Sequence, residues 1–473
     1  MSEGALLDLV ARGRKDAYFV GAAPGSRRLW GADYERRGPS TREIVIQNPE
    51  AAARFGHWVD IDLPRYGDVL MSADIRIQMP TWLPPDVAAV NRRSGVSVTV
   101  ESTQWPGTFL HYGWTNGLAN YLVARWALYA DSRMLQEGWG DFNSWFPDME
   151  TTHMKAPLLH ATTGTHADGE LPIQRNATPP ELVFRLPIVG LQGDDDAGLP
   201  LCSLRGQRLY VRLWLAPKEE LVESSVKEFV YDASLNRHLP VYELCPAPWG
   251  GRTGKLVRGG VETAFRTLEE WQIGQPHVYA RYSVVHLDEE TRRTLQAETQ
   301  DIVFYEQRRE NFVLGEGDWN PTARLTRRLE IHGFFQALYV GFLTEARRRQ
   351  NKYRDINPPG GGEWLVDLAL FVNSTERIHA WPPRHFQELA NNTQMLRDVE
   401  SDLYFLVFGV APDRGPSGVC NLSRTQKVNL ALRLEDVPAD PVTGSKLAVG
   451  SVLGLSWNVF RVEGGVGRVV YED

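Results

Sequence analysis

The chain has 473 residues, 42% hydrophobic and 23% charged, with 59 acidic and 51 basic side chains and a formal net charge of −8. That length exceeds one ordinary core and suits two domains of roughly 200 residues each, while the acidic balance excludes bulk electrostatic attraction to nucleic acid. The three cysteines (Cys202, Cys245 and Cys420) exclude a disulfide framework, and none stands in a CxxC pair that would hold zinc or do redox work.

From the N-terminus, Leu6, Leu7, Leu9 and Val10 form a short apolar stretch that meets Arg12, Arg14 and Lys15 too soon for the core of a signal peptide. No run approaches the roughly 18 apolar residues of a membrane span. A reducing, cytoplasm-like compartment is therefore expected. Fifteen Trp, 16 Tyr and 18 Phe beside 42 Gly and 29 Pro point to a β-rich chain with many turns.

In chain order, Glu43–Ile46 reads as a strand, and Val59, Ile61 and Leu63 alternate with Asp60 and Asp62 before a turn at 64–68. Ala73, Ile75, Ile77 and Met79 alternate up to Pro80, where a missing ladder donor stops the strand. Val96, Val98 and Val100 repeat the pattern, Tyr121–Tyr129 predicts a longer strand, Trp139–Met149 a short helix and Leu182–Leu186 a further strand. Leu209, Val211, Leu213 and Leu215 alternate with Tyr210, Arg212 and Trp214, the period of a sheet with one buried face. In the second half, Val278–Leu287 predicts a strand, followed by a helix with Asp288 as N-cap and acids in its first turn. Strands are expected at 302–305, 325–331, 338–343, 365–372, 403–410, 457–462 and 468–471, with a charged excursion at 345–354 and a short helix near 384–395.

The organisation rests on an echo. Leu199–Leu204 leads into the Leu209–Leu215 strand, and Pro416–Leu422 leads into Val428–Leu434 with the same order of turn residues, Cys, Leu, polar spacer and alternating strand. Copies nearly half a chain apart predict two similarly built halves. Short alternating strands with almost no helix predict an all-β fold of sandwich or barrel type.

No motif supplies chemistry. Gly250–Leu256 places Trp249 and Leu256 where a phosphate loop needs Gly and Ser/Thr, and the loop 245–260 is expected at the surface. Gly464, Gly465 and Gly467 lack the following helix of a dinucleotide site. His153, His160 and His166 share a polar loop without an HExxH motif and read as solvated. Adjacent acid pairs cannot face each other across a cleft, and no GxSxG elbow is present. Sequons stand at Asn176, Asn373, Asn391 and Asn421, the first three being the candidate glycosylation sites. No catalytic residue, metal ligand or cofactor is expected.

These residues resemble a known family. Leu6–Gly13 with Asp16–Gly21, Tyr34-Glu35-Arg36-Arg37, Phe55-Gly56 and Arg65-Tyr66-Gly67-Asp68 are similar to the opening of the major capsid proteins of nucleocytoplasmic large DNA viruses. Leu199-Pro200-Leu201, His286–Arg293 and above all Pro416–Arg424 resemble later family elements in the same order, and Asn458–Val462 with Gly464, Gly465 and Tyr471 resembles the family's ending. The segment after Gly21 departs from the pattern, as do the loops 153–180 and 245–260.

The resemblance implies two tandem eight-stranded jelly rolls with a few short helices in loops: an N-terminal arm over 1–20, a first roll over 21–216 and a second over 217–473. It implies a homotrimeric, pseudo-hexameric capsomer that tiles an icosahedral shell with neighbouring capsomers, minor capsid and penton proteins. An internal membrane would lie nearby without insertion, nucleic acid would not be touched, and assembly would run in the host cytoplasm into the virion. A minor capsid role keeps the fold. A carbohydrate-binding sandwich using Trp105, Trp114 and Trp139 as platforms is the reading from another class.

Overall fold

The computed structural model describes residues 40–80, 96–101, 109–150, 161–165, 181–192, 198–225, 229–232, 237–240, 254–258, 261–263, 274–359, 361–389, 403–409, 418–423, 425, 427–439 and 444–471. Two antiparallel sandwiches with the same strand order account for most of them. In the first, β1 (Ser40–Gln47), β15 (His277–Leu287), β3 (Val69–Gln78) and β8 (Leu182–Arg185) pair in that order as one sheet. The facing sheet runs β2 (Trp58–Asp62), β9 (Leu209–Leu215), β6 (Val123–Ala130), β7 (Arg133–Trp139).

The second sandwich repeats the plan. One sheet is β16 (Gln300–Leu314), β24 (Ala448–Glu463), β18 (Phe334–Thr344), β21 (Tyr404–Val407), with β22 (Cys420–Asn421) and β25 (Val466–Val469) added to β18 and β24. The other is β17 (Leu325–Leu329), β23 (Val428–Leu434), β19 (Leu365–Val372), β20 (Thr375–Trp381).

Period-two patterning explains the cores. Ile61, Ile75, Ile77, Val211, Leu213 and Phe184 are fully buried in the first; Leu368, Leu370, Leu430, Leu432 and Phe335 are fully buried in the second. The long connections of the first sandwich carry structure of their own. β4 (Val96–Glu101) and β5 (Phe109–Trp114) join β10 (Val222–Ser225), β13 (Gly254–Arg258) and β14 (Val261–Thr263) in a five-stranded sheet, and β11 (Phe229–Asp232) pairs β12 (Arg237–Pro240). The helices are short: α1 (Leu118–Leu122), α2 (Gly140–Glu150), α3 (Glu289–Ala297) and α4 (Glu345–Arg349).

The echo proves topological. β9 and β23 both lie second in their sheets, between a short edge strand and the strand that opens the next hairpin. The preceding turns match too. Leu199 bridges Leu70 and the Cys202 N–H donates to Asp68 at the start of β3, while Cys420 pairs Phe335 and the Leu422 N–H donates to Gly333 at the start of β18. Both thiols are buried, and burial raises them above the ordinary cysteine range.

Three expectations are corrected. β15 pairs β1 along eight residues and β3 along nine, so the first sandwich closes at Leu287 rather than at 216, and β9 is its penultimate strand. The expected strand from Tyr121 begins as α1 and becomes a strand only at Val123, because Gly117 at φ 74° turns the chain into a helical turn. The loop 245–260 contains β13, paired with β4. Of the helix expected at 384–395, the described part takes the π form over His385–Leu389, and residues 390–395 lie outside the described residues.

Asp288 does stand at the N-cap of α3, but its side chain caps nothing. The step from β15 into α3 is held by Asp68 instead. Its carboxylate accepts the Leu287 N–H at 2.8 Å and both guanidinium donors of Arg292 at 2.7 and 2.8 Å, in a site that leaves Asp68 2% exposed.

Candidate assembly surfaces

The two sandwiches meet along a built seam. β7 of the first lies against β16 of the second, and three glutamines stitch the backbones together. Gln136 donates to the carbonyls of Pro187 and Tyr305 at 3.2 and 3.3 Å and accepts the Val189 N–H at 2.8 Å. Gln192 donates to the Tyr305 carbonyl and accepts the Tyr305 N–H, both at 2.7 Å, the paired geometry of a strand neighbour supplied by a side chain. Gln307 accepts the Trp139 N–H at 2.9 Å. Buried amides with both ends occupied fix register as well as stability.

Beside this ladder, α2 drives Phe142 and Trp145 onto the outer face of the β16–β24–β18–β21 sheet. Phe142, 1% exposed, meets Tyr339 edge to face with ring centroids 6.3 Å apart, within a cluster holding Leu403, Phe405, Leu453 and Leu455. Gly341 is required where the indole of Trp145 crosses β18, since a Cβ there would stand 2.8 Å from it. Asp141 pairs Arg309 at 2.9 Å across the seam; burial raises its carboxyl above the usual range, and Arg309 opposes that rise.

A second latch comes from the loop after α4. Asn351, in the left-handed region at φ 59°, donates to the carbonyls of Glu219 and Val222 at 2.7 Å each, and its own carbonyl accepts Thr115 Oγ1 at 2.6 Å. Tyr353 donates to the Glu220 carbonyl at 3.1 Å and its ring packs on Tyr121 at 4.8 Å.

Glu223 sits against this latch. Burial pushes its carboxyl up to about 7, with Lys352 and the backbone at Asn116 opposing the rise. A folded-state value above the free glutamate value near 4.5 means that the native state holds the proton more tightly. Its contribution is full below about pH 4.5 and is lost as pH rises through 7. Glu223→Gln is expected to raise stability at pH 8 by on the order of 2 kcal/mol and to flatten the pH dependence between 5 and 8. Thermal melts of both proteins across that range check it.

The outward surfaces are unlike the seam. Ile44 and Ile46 are each 63% exposed on the outer face of the first sandwich's β1 sheet. On the second sandwich, β20 is an edge strand whose Trp381, 44% exposed, stacks on His385 at 5.0 Å. The equivalent surfaces inside the seam, the outer face of the β16 sheet and the edge strand β7, are covered around Tyr305, Gln307, Tyr339, Phe405 and Gln136, while Val303, Val313 and Met134 at their margins stay exposed.

No family model and no curated protein matches the sequence, but solved structures match the fold. PBCV-1 VP54, as fitted into a reconstruction of the virophage Sputnik, superposes with a TM-score of 0.69 at 14% identity, covering 94% of this chain and all of VP54. The Faustovirus major capsid protein superposes with a TM-score of 0.60 at 10% identity, over 92% of this chain and 93% of its own. The chain is a double jelly roll. The structure of the Sputnik virophage, with a TM-score of 0.54 at 9% identity, extends the likeness over 94% of this chain. The double jelly roll is the fold of these viral major capsid proteins, as the sequence resemblance implies.

Within the double jelly roll the sequence-derived sites fall apart. Asn373 is exposed at the tip of the β19–β20 hairpin with φ 50°, and Asn421 is exposed with its Oδ1 accepting Ser423. Asn176, Asn391, Trp105, Cys245 and the three loop histidines lie outside the described residues. Trp114 is fully buried and cannot serve as a sugar platform; Trp139 is half-buried in the seam. Among the described residues no cluster of three metal-binding side chains occurs, and no helix is long and apolar enough to cross a membrane. Sequence reasoning missed Gln136, Gln192, Gln307 and Asn351, whose only signal is polarity inside strand-rich segments.

Proposed function

We propose that this protein is a major capsid protein that assembles as a trimeric, pseudo-hexameric capsomer of an icosahedral shell. One observation carries the reading. Within the chain, the β7 edge and α2 of one jelly roll dock on the outer β16-sheet face of the next, while the matching pair of surfaces is left open. Those open surfaces are β20 with the turn after it, bearing Trp381, and the outer face of the β1 sheet, bearing Ile44 and Ile46.

A head-to-tail contact between like units, repeated by rotation, closes into a ring. Three chains supply six units, and closure buries apolar side chains that a monomer would leave in water. The net charge of −8 fits a shell that does not grip nucleic acid. Assembly in the host cytoplasm, minor capsid and penton partners, and sugar on Asn373 belong to the same proposal.

Sedimentation velocity at micromolar concentration tests it. The wild-type chain is expected as a trimer, and Ile44→Asp with Ile46→Asp is expected to weaken trimerisation at least 100-fold while the thermal midpoint stays within a few degrees. A wild-type chain that stays monomeric sinks the proposal. A minor capsid role is separated by copy number, since a main shell component is the dominant protein band of purified virions.

A further inference from the structure

Among the described residues, the outer face of the β2–β9–β6–β7 sheet carries a concentration of stacked aromatic rings and guanidinium groups. Arg212 lies over the Trp58 ring at 4.1 Å and faces Tyr129 and Tyr210 at 5.4 and 5.9 Å. Tyr129 and Tyr210 stack in parallel at 5.2 Å with 7° between planes. Arg208 lies over Tyr210 at 5.1 Å and Arg125 over Trp214 at 4.6 Å.

Carboxylates hold each guanidinium flat. Asp60 takes Arg212 in a bidentate pair at 2.7 and 2.8 Å, Asp62 takes Arg208 at 2.9 Å with Glu50 beside it, and Glu137 takes Arg125 at 2.5 Å. Trp58 remains 55% exposed.

The duplication shows that the fold does not need this face. Aligning β9 with β23, the inward residues agree: Leu209, Val211, Leu213 and Leu215 against Val428, Leu430, Leu432 and Leu434. The outward ones do not. Tyr210, Arg212 and Trp214 stand where the second roll has Asn429, Ala431 and Arg433. Core burial explains the shared half of the pattern and leaves the aromatic–guanidinium half unexplained.

We infer that this face is the contact between one capsomer and the next, made by a second copy of the chain in a neighbouring trimer. The inference rests on the trimer proposed above and uses a face that the head-to-tail ring leaves free. Trp, Tyr and Arg are the residues that dominate protein–protein hot spots, and stacked, ion-paired side chains have little rotamer freedom left to lose on binding. The charges favour a copy of the same chain. Three arginines against four carboxylates leave the patch nearly neutral on a chain of net charge −8, so two such patches meet without the repulsion that most of the surface would impose. Phosphate-bearing partners are disfavoured, because every guanidinium here is already paired.

Trp58→Glu and Trp58→Phe test this in purified trimers, by light scattering across a concentration series and electron microscopy of the resulting arrays. Trp58→Glu is expected to leave the trimer and its melting temperature unchanged and to weaken trimer–trimer association at least 10-fold; Trp58→Phe restores most of it. Arrays of Trp58→Glu that form as readily as wild type overturn the inference, as does loss of the trimer itself, which would put the face inside the capsomer. A glycan array on which wild type binds and Trp58→Glu does not, with arrays unaffected, would assign the face to sugar and equally overturn it. Failure of the wild-type chain to trimerise strikes the proposed function instead, so the two failures are distinguishable.

Discussion

Asp68→Ala is expected to destabilise the folded chain by about 3–5 kcal/mol, the cost of removing one partner from a buried, hydrogen-bonded ion pair. The carboxylate is the common acceptor for Arg292 and for the Leu287 N–H, so its loss strands a guanidinium and a backbone donor together. The position matters beyond its energy. Asp68 opens β3, takes the end of β15 and anchors α3, joining the last strand of the first roll to the chain that leaves for the second. Asp68→Asn keeps the shape and one acceptor, and is expected to recover part of the loss. Chemical denaturation of the two variants with fitted midpoints checks both values; a loss below 1 kcal/mol for the alanine variant would mean that the strand-to-helix step holds without it.

Phe142→Ala is expected to cost a further large amount, about 3–5 kcal/mol, by opening a cavity where a fully buried ring is removed. The location makes the effect specific. Phe142 belongs to the first roll by chain position but packs on Tyr339 and the outer sheet face of the second. The variant is therefore expected to loosen the seam before either sandwich melts, splitting one cooperative transition into two. Hydrogen exchange would show early loss of protection at β7 and β16, with β9 and β23 still protected. A single transition lowered uniformly would place Phe142 in an ordinary core and not in a junction.

Much of the fold is legible because sandwich strands obey one rule at a time. β9 and β23 have one wet and one dry face, so period two is visible residue by residue. The echo between them marks equivalent strands because inward positions are constrained by the core in both rolls. Errors arise where that condition fails. β16 runs through six consecutive polar residues, Glu306–Asn311, that face either water or the seam and hide the strand's period, so its fifteen residues read as a four-residue strand at 302–305. β15 carries the right period, but period says nothing of partners. The long connection between β9 and β15 hides that the strand returns to pair β1 and β3, and sequence order alone assigns it to the wrong half.

The assembly surfaces were legible only in outline. Resemblance to capsid proteins points to self-association, but Trp139 is the one seam residue that carries a sequence reading, and that reading is a sugar platform. Gln136, Gln192 and Asn351 look like surface polar residues until the partner strand is present, because their function is to satisfy backbone groups from another part of the chain. Ile44 and Ile46 are equally silent. In a strand of known register they sit on the outside, whereas in the bare sequence Ile44, Val45 and Ile46 form a continuous apolar run.

Electron microscopy of the purified, full-length wild-type chain tests the central claim most directly. Class averages are expected to show six lobes around one axis, built from three chains of 53.4 kDa, with alternate lobes differing in height because, among the described residues, the five-stranded loop sheet belongs to the first roll. Particles of two lobes at concentrations up to about 100 µM, or rings with a number of lobes other than six, would contradict it.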